Sequence, residues 1–226
     1  MKSILGIECA TDVLSVALAS GGNVIAEKVV KGRNIHDELL YSLTASILEE
    51  QHIAIADLGG IAVSSGPGSF TGLRIGMSFA KGLVYGAGLP LATIPTFDGI
   101  AHRIALQRIA PPDGLLALLF DARREDVYVG IYRLQEDRAV CLAPARVCRI
   151  DTLCDIIREG MICAGSGAEK IGGALQKEVV LLGGESVECR AGAIALLGAA
   201  RIATGDTADA ASCEPEYLKE FFTTAG

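Results

Sequence analysis

The stretch Ser64-Ser65-Gly66-Pro67-Gly68-Ser69-Phe70-Thr71-Gly72-Leu73-Arg74-Ile75-Gly76 decides the fold class of this chain. The apolar residues 61–63 before it predict the end of a buried strand, and its glycines and proline favour a turn. Ser69 or Thr71 can cap a helix that begins near Gly72. The stretch therefore predicts a strand, a glycine-rich loop and a helix in succession, which is typical of an α/β protein.

The glycine-rich loop allows two interpretations. A loop at the start of a helix directs backbone N–H groups outward at the positive end of the helix dipole, where a phosphate or carboxylate can bind. Alternatively, the small residues only let the strand and the helix meet closely. No Gly-Lys-Ser/Thr ends the loop, so it is not a Walker phosphate loop. The candidate anion-binding residues are Thr11, Gly66, Gly68, Ser69 and Thr71.

The composition indicates a closely packed aliphatic interior. Of the 226 residues, 50% are hydrophobic and 27 are glycine, whereas aromatic residues make up 5% and tryptophan is absent. The first residues carry one lysine and a strand pattern broken by Glu8 and Asp12, which is unlike a secretory signal. Since no uncharged apolar run reaches about 18 residues, we expect a cytoplasmic protein that does not span a membrane.

The cysteines and histidines provide no pattern for a metal. The seven cysteines include no C-x-x-C pair, and their odd number supports no disulfide framework. His36 is followed four residues later by Leu40, so a pair of histidines on one helical face is missing. We predict no metal and no cofactor.

The charge of the chain disfavours direct binding of nucleic acid. The net charge is −7, and the 20 basic residues are scattered along the sequence. Because nucleic acids are held by neutralising phosphates, we expect any link to tRNA to run through a partner.

The order of the predicted elements indicates two successive α/β units. Three strands, a helix, a strand, a helix and a strand in the first half are the order of a ribonuclease-H-like unit. We predict an N-terminal lobe at 1–110 and a C-terminal lobe at 111–226, with mixed sheets flanked by helices. The predicted strands are 3–8, 14–19, 24–30, 59–63, 89–94, 115–120, 127–132, 139–142 and 161–164, and the predicted helices are 36–51, 72–85, 151–158 and 191–203.

The two helices of the first half are candidates for a partner interface. The helix predicted at 36–51 has a broad apolar face, and the helix predicted at 72–85 carries small residues four positions apart, so that another helix can pack closely against either. Such faces either pack on the sheet of their own lobe or meet the helices of another subunit, and the sequence leaves both interpretations open. The residues concerned are Leu39, Leu43 and Ile47 in the first helix and Gly72, Gly76 and Ala80 in the second.

Four motifs in this order resemble the TsaB family, also called YeaZ, of bacterial tRNA threonylcarbamoyladenosine biosynthesis. They are Ile4-Leu5-Gly6-Ile7-Glu8-Cys9-Ala10-Thr11, the glycine-rich stretch 66–76, Asp121-Ala122-Arg123-Arg124-Glu125-Asp126-Val127-Tyr128 and Pro215-Glu216-Tyr217-Leu218-Lys219. The resemblance implies two ribonuclease-H-like lobes of the actin-like ATPase and sugar kinase superfamily. It also implies a noncatalytic partner of TsaD, the subunit that transfers the threonylcarbamoyl group to tRNA, in a complex completed by TsaE. In isolation, a homodimer is a further expectation.

The departures from the family pattern bear on catalysis. The usual opening has Asp followed by Thr-Ser-Thr. Here Glu8 keeps the carboxylate one methylene further out, whereas Cys9 and Ala10 remove two hydroxyl groups that could touch a phosphate, which weakens nucleotide binding by this loop without excluding it. TsaD-like relatives carry paired histidines for a metal, and here only His36 stands in that region. We therefore expect an accessory subunit without catalytic residues.

Two other functions remain open. The first is a small actin-like ATPase or kinase that uses Glu8, Thr11 and the loop 66–72. The second is a peptidase, although the chain has no G-x-S-x-G elbow and its nearest stretch, 164–168, reads as a turn.

Overall fold

The computed structural model describes residues 2–171 and 178–219. The chain divides into two compact units, Met1–Arg103 with Glu188–Pro215 and Ile104–Val187 with Glu216–Gly226. The predicted lobes 1–110 and 111–226 differ from these units because the chain returns to the first unit after residue 187. The domain boundary at residue 110 therefore stays a prediction.

Eighteen elements follow one another along the described chain, and three of them are 3-10 helices, at Ile55–Asp57, Ile150–Asp155 and Gly184–Val187. The strands are β1 (Ile4–Glu8), β2 (Val13–Ser20), β3 (Asn23–Lys31), β4 (Gly60–Gly66), β5 (Leu91–Pro95), β6 (Leu115–Asp121), β7 (Asp126–Leu134), β8 (Ala139–Arg149), β9 (Ile162–Ala164) and β10 (Val180–Leu182). The helices are α1 (His36–Glu50), α2 (Phe70–Ala87), α3 (Thr96–Leu106), α4 (Ala168–Ile171) and α5 (Ala191–Ala203). No described helix is long and apolar enough to cross a membrane.

The first unit is built on a mixed sheet with the order β3-β2-β1-β4-β5. β1 pairs antiparallel with β2 and parallel with β4. Because side chains alternate along a strand, Leu5 and Ile7 of β1 join the apolar cluster that includes Leu40 of α1 and Met77 of α2. The strands therefore hold α1 and α2 on one face of the sheet.

The other face of this sheet carries α5. A Cβ placed on Gly6 of β1 would overlap Ala191 and Ala195, and one placed on Gly198 would overlap Ala62 of β4. Small residues on both surfaces thus let the helix lie close to the strands. Long-range contacts of α5 with β1, β2 and β4 explain why residues 188–215 belong to the first unit.

The second unit repeats the strand topology of the first. Its sheet has the order β10-β9-β6-β7-β8, with β6-β7 and β7-β8 antiparallel and β6-β9 and β9-β10 parallel. An apolar cluster that includes Leu119, Val129 and Ile157 forms its core. Two α/β units with the same mixed-sheet topology confirm the predicted fold class.

Most predicted elements are present, although the strand predicted at 139–142 extends to Arg149 as β8. The segment predicted as a helix over 151–158 forms a 3-10 helix at Ile150–Asp155 instead. α3, which follows β5 directly, was not predicted, nor were α4 and β10. Ser69 is the N-cap of α2, as its position predicts.

Candidate functional site

The glycine-rich loop joins β4 to α2 and packs on the loop that follows β1. The Ser69 side chain accepts a hydrogen bond from the Gly72 N–H at 3.3 Å, which caps α2. The Ser69 N–H donates to the Ala10 carbonyl at 2.6 Å. A Cβ on Gly68 would overlap Ala10, and one on Gly72 would overlap the Cys9 carbonyl. The glycines therefore permit close contact between two loops of the same unit.

The loop after β1 also forms its polar contacts internally. The Ala10 N–H donates to Glu8 Oε1 at 2.6 Å, and the Val13 N–H donates to Thr11 Oγ1 at 3.2 Å. The Cys9 N–H lies 3.5 Å from Ser64 Oγ, a long hydrogen bond. The N–H groups of five residues at the meeting of the two loops are thus engaged within the chain, namely those of Cys9, Ala10, Val13, Ser69 and Gly72.

Of the five candidate anion-binding residues, only some face the solvent. Ser69 and Thr71 are exposed, and Thr11 and Gly68 are half-buried. Gly66 is buried with a φ of +122°, which only glycine adopts readily. The structure brings Gly68 and Ser69 against the loop of Thr11, while Ser69 and Thr11 already serve as local hydrogen-bond acceptors.

The Glu8 carboxyl lies fully buried at the end of β1. Its Oε2 atom makes no hydrogen bond of good geometry with the described residues. Loss of solvation raises the pKa of Glu8 from 4.5 to about 6, although the Cys189 thiol, the Ala10 N–H and the Ser64 hydroxyl oppose the rise. The carboxyl is enclosed by the protein and is not offered to a solvent-borne ligand.

Most of the candidate interface residues face the interior of the first unit. Ile47, Gly72, Gly76 and Ala80 are buried, while Leu39 and Leu43 are half-buried. A Cβ on Gly76 would lie 3.1 Å from the Cys9 Cβ and 3.6 Å from Val63. Of the two interpretations left open, packing on the unit's own sheet accounts for the small residues at 72, 76 and 80.

The outward side of α1 and α2 carries different residues. Tyr41 of α1 is 72% exposed and Tyr85 of α2 is 63% exposed. Gly82 and Gly86 have nothing within 4 Å of a Cβ placed on them, so open space lies beyond this part of α2. Since α1 and α2 contact each other, these residues belong to adjacent helices, and we call the four of them the outer helix face. The four-residue spacing alone does not distinguish the exposed Gly82 and Gly86 from the buried Gly72 and Gly76.

Among the described residues, no three histidine, cysteine or acidic side chains converge on a position for a metal ion. His36 lies buried at the start of α1, and its Nε2 atom has no partner there. Cys9 and Cys189 are buried, and burial raises the pKa of both thiols well above the usual value. These thiols therefore remain protonated and poorly reactive.

Within the stretch 164–168 of the second unit, residues 165–167 form a turn between β9 and α4, as predicted. The Gly167 N–H donates to the Leu119 carbonyl at 2.8 Å, and Ser166 Oγ accepts from the Asp121 N–H at 3.2 Å. The turn is thus bound to the end of β6.

Sequence comparisons match most of the chain to one family. The model of TsaD, described as tRNA N6-adenosine threonylcarbamoyltransferase, matches residues 24–203. The TsaB protein of Bacillus subtilis, named for tRNA threonylcarbamoyladenosine biosynthesis, is 35% identical over 131 residues, which cover 58% of this chain and 55% of the relative. TsaB of Escherichia coli is 35% identical over 134 residues, with 59% and 56% covered. The chain thus spans little more than half the length of the curated relatives it matches.

Structural comparison gives similarity over nearly the whole chain. YeaZ from Pseudomonas aeruginosa has a TM-score of 0.85 and 25% identity, with 96% of this chain and 100% of YeaZ covered. The activator of 2-hydroxyisocaproyl-CoA dehydratase from Clostridium difficile, solved with ADPNP, has a TM-score of 0.50 and 8% identity, over 90% and 96% of the two chains. This second similarity concerns the fold alone.

Proposed function

The chain belongs to the TsaD family, within its TsaB (YeaZ) group, and from this premise we propose that it is a noncatalytic subunit of a tRNA-modifying complex. In this proposal it forms a heterodimer with TsaD and activates the transfer of the threonylcarbamoyl group to tRNA. The complex is cytoplasmic and includes TsaE, and the tRNA reaches this chain only as part of the complex.

The closure of the two loops is the observation that carries the noncatalytic role. The Ser69 N–H is bonded to the Ala10 carbonyl at 2.6 Å, and the Ala10 N–H is bonded to Glu8 at 2.6 Å. A phosphate that used these two N–H groups would have to break both bonds and approach a carboxyl that lies fully buried. Breaking buried hydrogen bonds and desolvating the ligand both cost free energy, which disfavours nucleotide binding by this chain alone.

The outer helix face supports the proposed docking on TsaD. Exposed tyrosines supply large amphipathic contact areas, which are enriched at protein interfaces. Near the end of α2, on the same helix as Tyr85, Gly82 and Gly86 leave open space in which a partner helix can approach closely. In the absence of TsaD, the same face would serve for a homodimer, whose presence light scattering on the isolated chain can test.

Co-purification with TsaD tests the proposal. We expect a stoichiometric complex with the wild-type chain and a weaker one with Gly82→Leu, because overpacking at a contact costs about 1 to 3 kcal/mol, or roughly 5- to 150-fold in affinity. Gly76→Leu is the matched variant in the interior, and we expect it to lower the thermal midpoint instead.

The opposite outcomes have distinct meanings. Failure of the wild-type chain to bind TsaD would refute the proposed function. Tight ATP binding by the isolated chain, lost on Glu8→Ala, would favour the actin-like ATPase instead.

A further inference from the structure

The loop that joins β6 to β7 holds two consecutive arginines in an uncommon backbone conformation. Arg123 and Arg124 have φ values of +68° and +55°, in the left-handed region that residues other than glycine rarely occupy. Both are exposed. A conformation that costs free energy persists only where the surroundings hold it, and such positions cluster at functional sites.

Two lysines hold this loop. Lys170 Nζ donates to Asp121 Oδ1 at 2.7 Å and to the Arg124 carbonyl at 2.6 Å. Lys219 Nζ donates to Asp126 Oδ2 at 2.6 Å and to the Ala122 carbonyl at 3.1 Å. The Arg123 N–H adds a bond of 2.7 Å to Asp121 Oδ1. The loop is therefore fixed from both of its ends.

The same contacts leave the loop with a positive outer surface. Hydrogen bonds from Lys170 and Lys219 hold the pKa values of Asp121 and Asp126 below their usual range, so both carboxylates are ionised and paired. Glu125 pairs with Arg149 at 3.0 Å. Glu125 shares Arg149 with Asp151, also at 3.0 Å, so the acidic groups of the loop are engaged in ion pairs. The Arg123 and Arg124 side chains are exposed and take part in none of these pairs.

The geometry points to a phosphate-binding contact: we propose that Arg123 and Arg124 bind the backbone of the tRNA when this chain is part of its complex, an inference that rests on the proposed function. The planar donors of a guanidinium match phosphate oxygens, and a fixed backbone reduces the entropy lost on binding.

The net charge of −7 explains why the contact needs the complex. Two phosphate contacts give little affinity against a repulsive acidic surface, and a partner that holds the RNA makes them effectively intramolecular. Arg123 and Arg124 are therefore positioning residues for the RNA and take no part in the chemical step.

The test measures binding of a fluorescent, unmodified tRNA transcript to the complex of this chain with TsaD, at several salt concentrations. We expect Arg123→Gln with Arg124→Gln to weaken binding about tenfold and to reduce the slope of log K against log salt by about 1.4 to 1.8. The double lysine variant keeps the charge and should retain most of the affinity. The affinity for TsaD and the thermal midpoint should not change.

A matched control removes two arginines from the far end of the same hairpin. Arg133 pairs with Leu115, six residues along β6 from Asp121 and hence about 20 Å away, and Arg138 lies in the next turn. Arg133→Gln with Arg138→Gln should leave tRNA binding at the wild-type value. Equal loss in both double variants would reduce the effect to net charge and overturn the proposal.

Three further outcomes would overturn it. One is wild-type tRNA affinity in the Arg123→Gln and Arg124→Gln variant. Another is loss of TsaD binding in that variant. A third is competition in which poly-glutamate displaces the labelled tRNA from the complex as well as unlabelled tRNA does. Either result would assign the loop to a protein contact. If the wild-type chain does not bind TsaD, the proposed function fails, and tRNA binding by the isolated chain at low salt then tests the role of the two arginines. The wild-type chain should bind tRNA more tightly than the Arg123→Gln and Arg124→Gln variant. Equal binding would refute the proposed phosphate contact.

Discussion

Gly72 of α2 lies directly against the carbonyl oxygen of Cys9, at the point where the glycine-rich loop meets the loop after β1. The N–H of the same residue is bonded to its N-cap Ser69. No side chain fits at this position without displacing backbone. The contact links the start of α2 to the end of β1, and it closes the region in which a phosphate would otherwise be expected.

Alanine substitutions at Gly72 and Gly82 should therefore distinguish the effect of the backbone contact on stability from the effect of helix propensity. Gly72→Ala should destabilise the protein by several kcal/mol, because the overlapping atoms belong to the backbone and the loops must move apart. Gly82→Ala on the same helix meets nothing within 4 Å and should stabilise it by about 0.5 to 1 kcal/mol through helix propensity. Urea unfolding of both variants measures this difference. Equal effects of the two substitutions would contradict the close contact at Gly72.

The buried Glu8 carboxyl should make stability depend on pH. Its pKa is raised from 4.5 to about 6 in the folded state. Below pH 4.5 the group is protonated in both states; as the pH rises towards 6, the unfolded chain releases its proton first and stability falls by about 2 kcal/mol.

Glu8→Gln removes this dependence because the amide does not titrate. The difference in unfolding free energy between Glu8→Gln and the wild type should shift by about 2 kcal/mol in favour of the variant between pH 4.5 and pH 7.5. Glu49→Gln, at an exposed position of α1, controls for the loss of one negative charge. A difference for Glu8→Gln that stays constant over this range would show that Glu8 is solvated.

The N-terminus of α5 depends on a residue 176 positions earlier. The buried Ser15 hydroxyl of β2 accepts a hydrogen bond from the Ala191 N–H at 2.9 Å. Ser15→Ala should cost about 0.5 to 2 kcal/mol, because the helix loses a cap. Ser42→Ala, whose exposed hydroxyl bonds only within α1, should have little effect. Equal thermal midpoints for the two variants would show that Ser15 does not help to hold residues 188–215 in the first unit.

Nucleotide binding by the isolated chain should be weak. Closed loops and a buried carboxyl predict that calorimetric titration with ATP and Mg²⁺ gives no dissociation constant in the low micromolar range. Stoichiometric binding in that range would show that the loops open readily, and it would move the assignment towards an ATPase.

Local sequence patterns predicted most of the strands, the glycine-rich loop and the cap at Ser69, since these depend on neighbouring residues. The return of the chain at residue 188 could not be predicted, because it rests on contacts between α5 and strands far away in sequence. The faces of α2 raised the same difficulty. Gly72 with Gly76, and Gly82 with Gly86, have identical spacing, and only the position of the sheet decides which pair is buried.

The hydrogen bonds that fix the loop of Arg123 and Arg124 also could not be predicted from neighbouring residues. The motif at 121–128 shows two arginines between two aspartates, but nothing in the motif indicates how the loop is held. The roles of those aspartates depend on Lys170 and Lys219, which lie 49 and 93 residues further along the chain from Asp121 and Asp126, respectively.

The most direct test of the account is the rate of threonylcarbamoyladenosine formation by TsaD on tRNA, with and without this chain, in the presence of TsaE. We predict that TsaD is nearly inactive alone, that the wild-type chain activates it, and that Gly82→Leu activates it only at higher concentrations. Equal rates with and without the wild-type chain, or formation of the product by this chain without TsaD, would contradict the assignment as an activating, noncatalytic subunit.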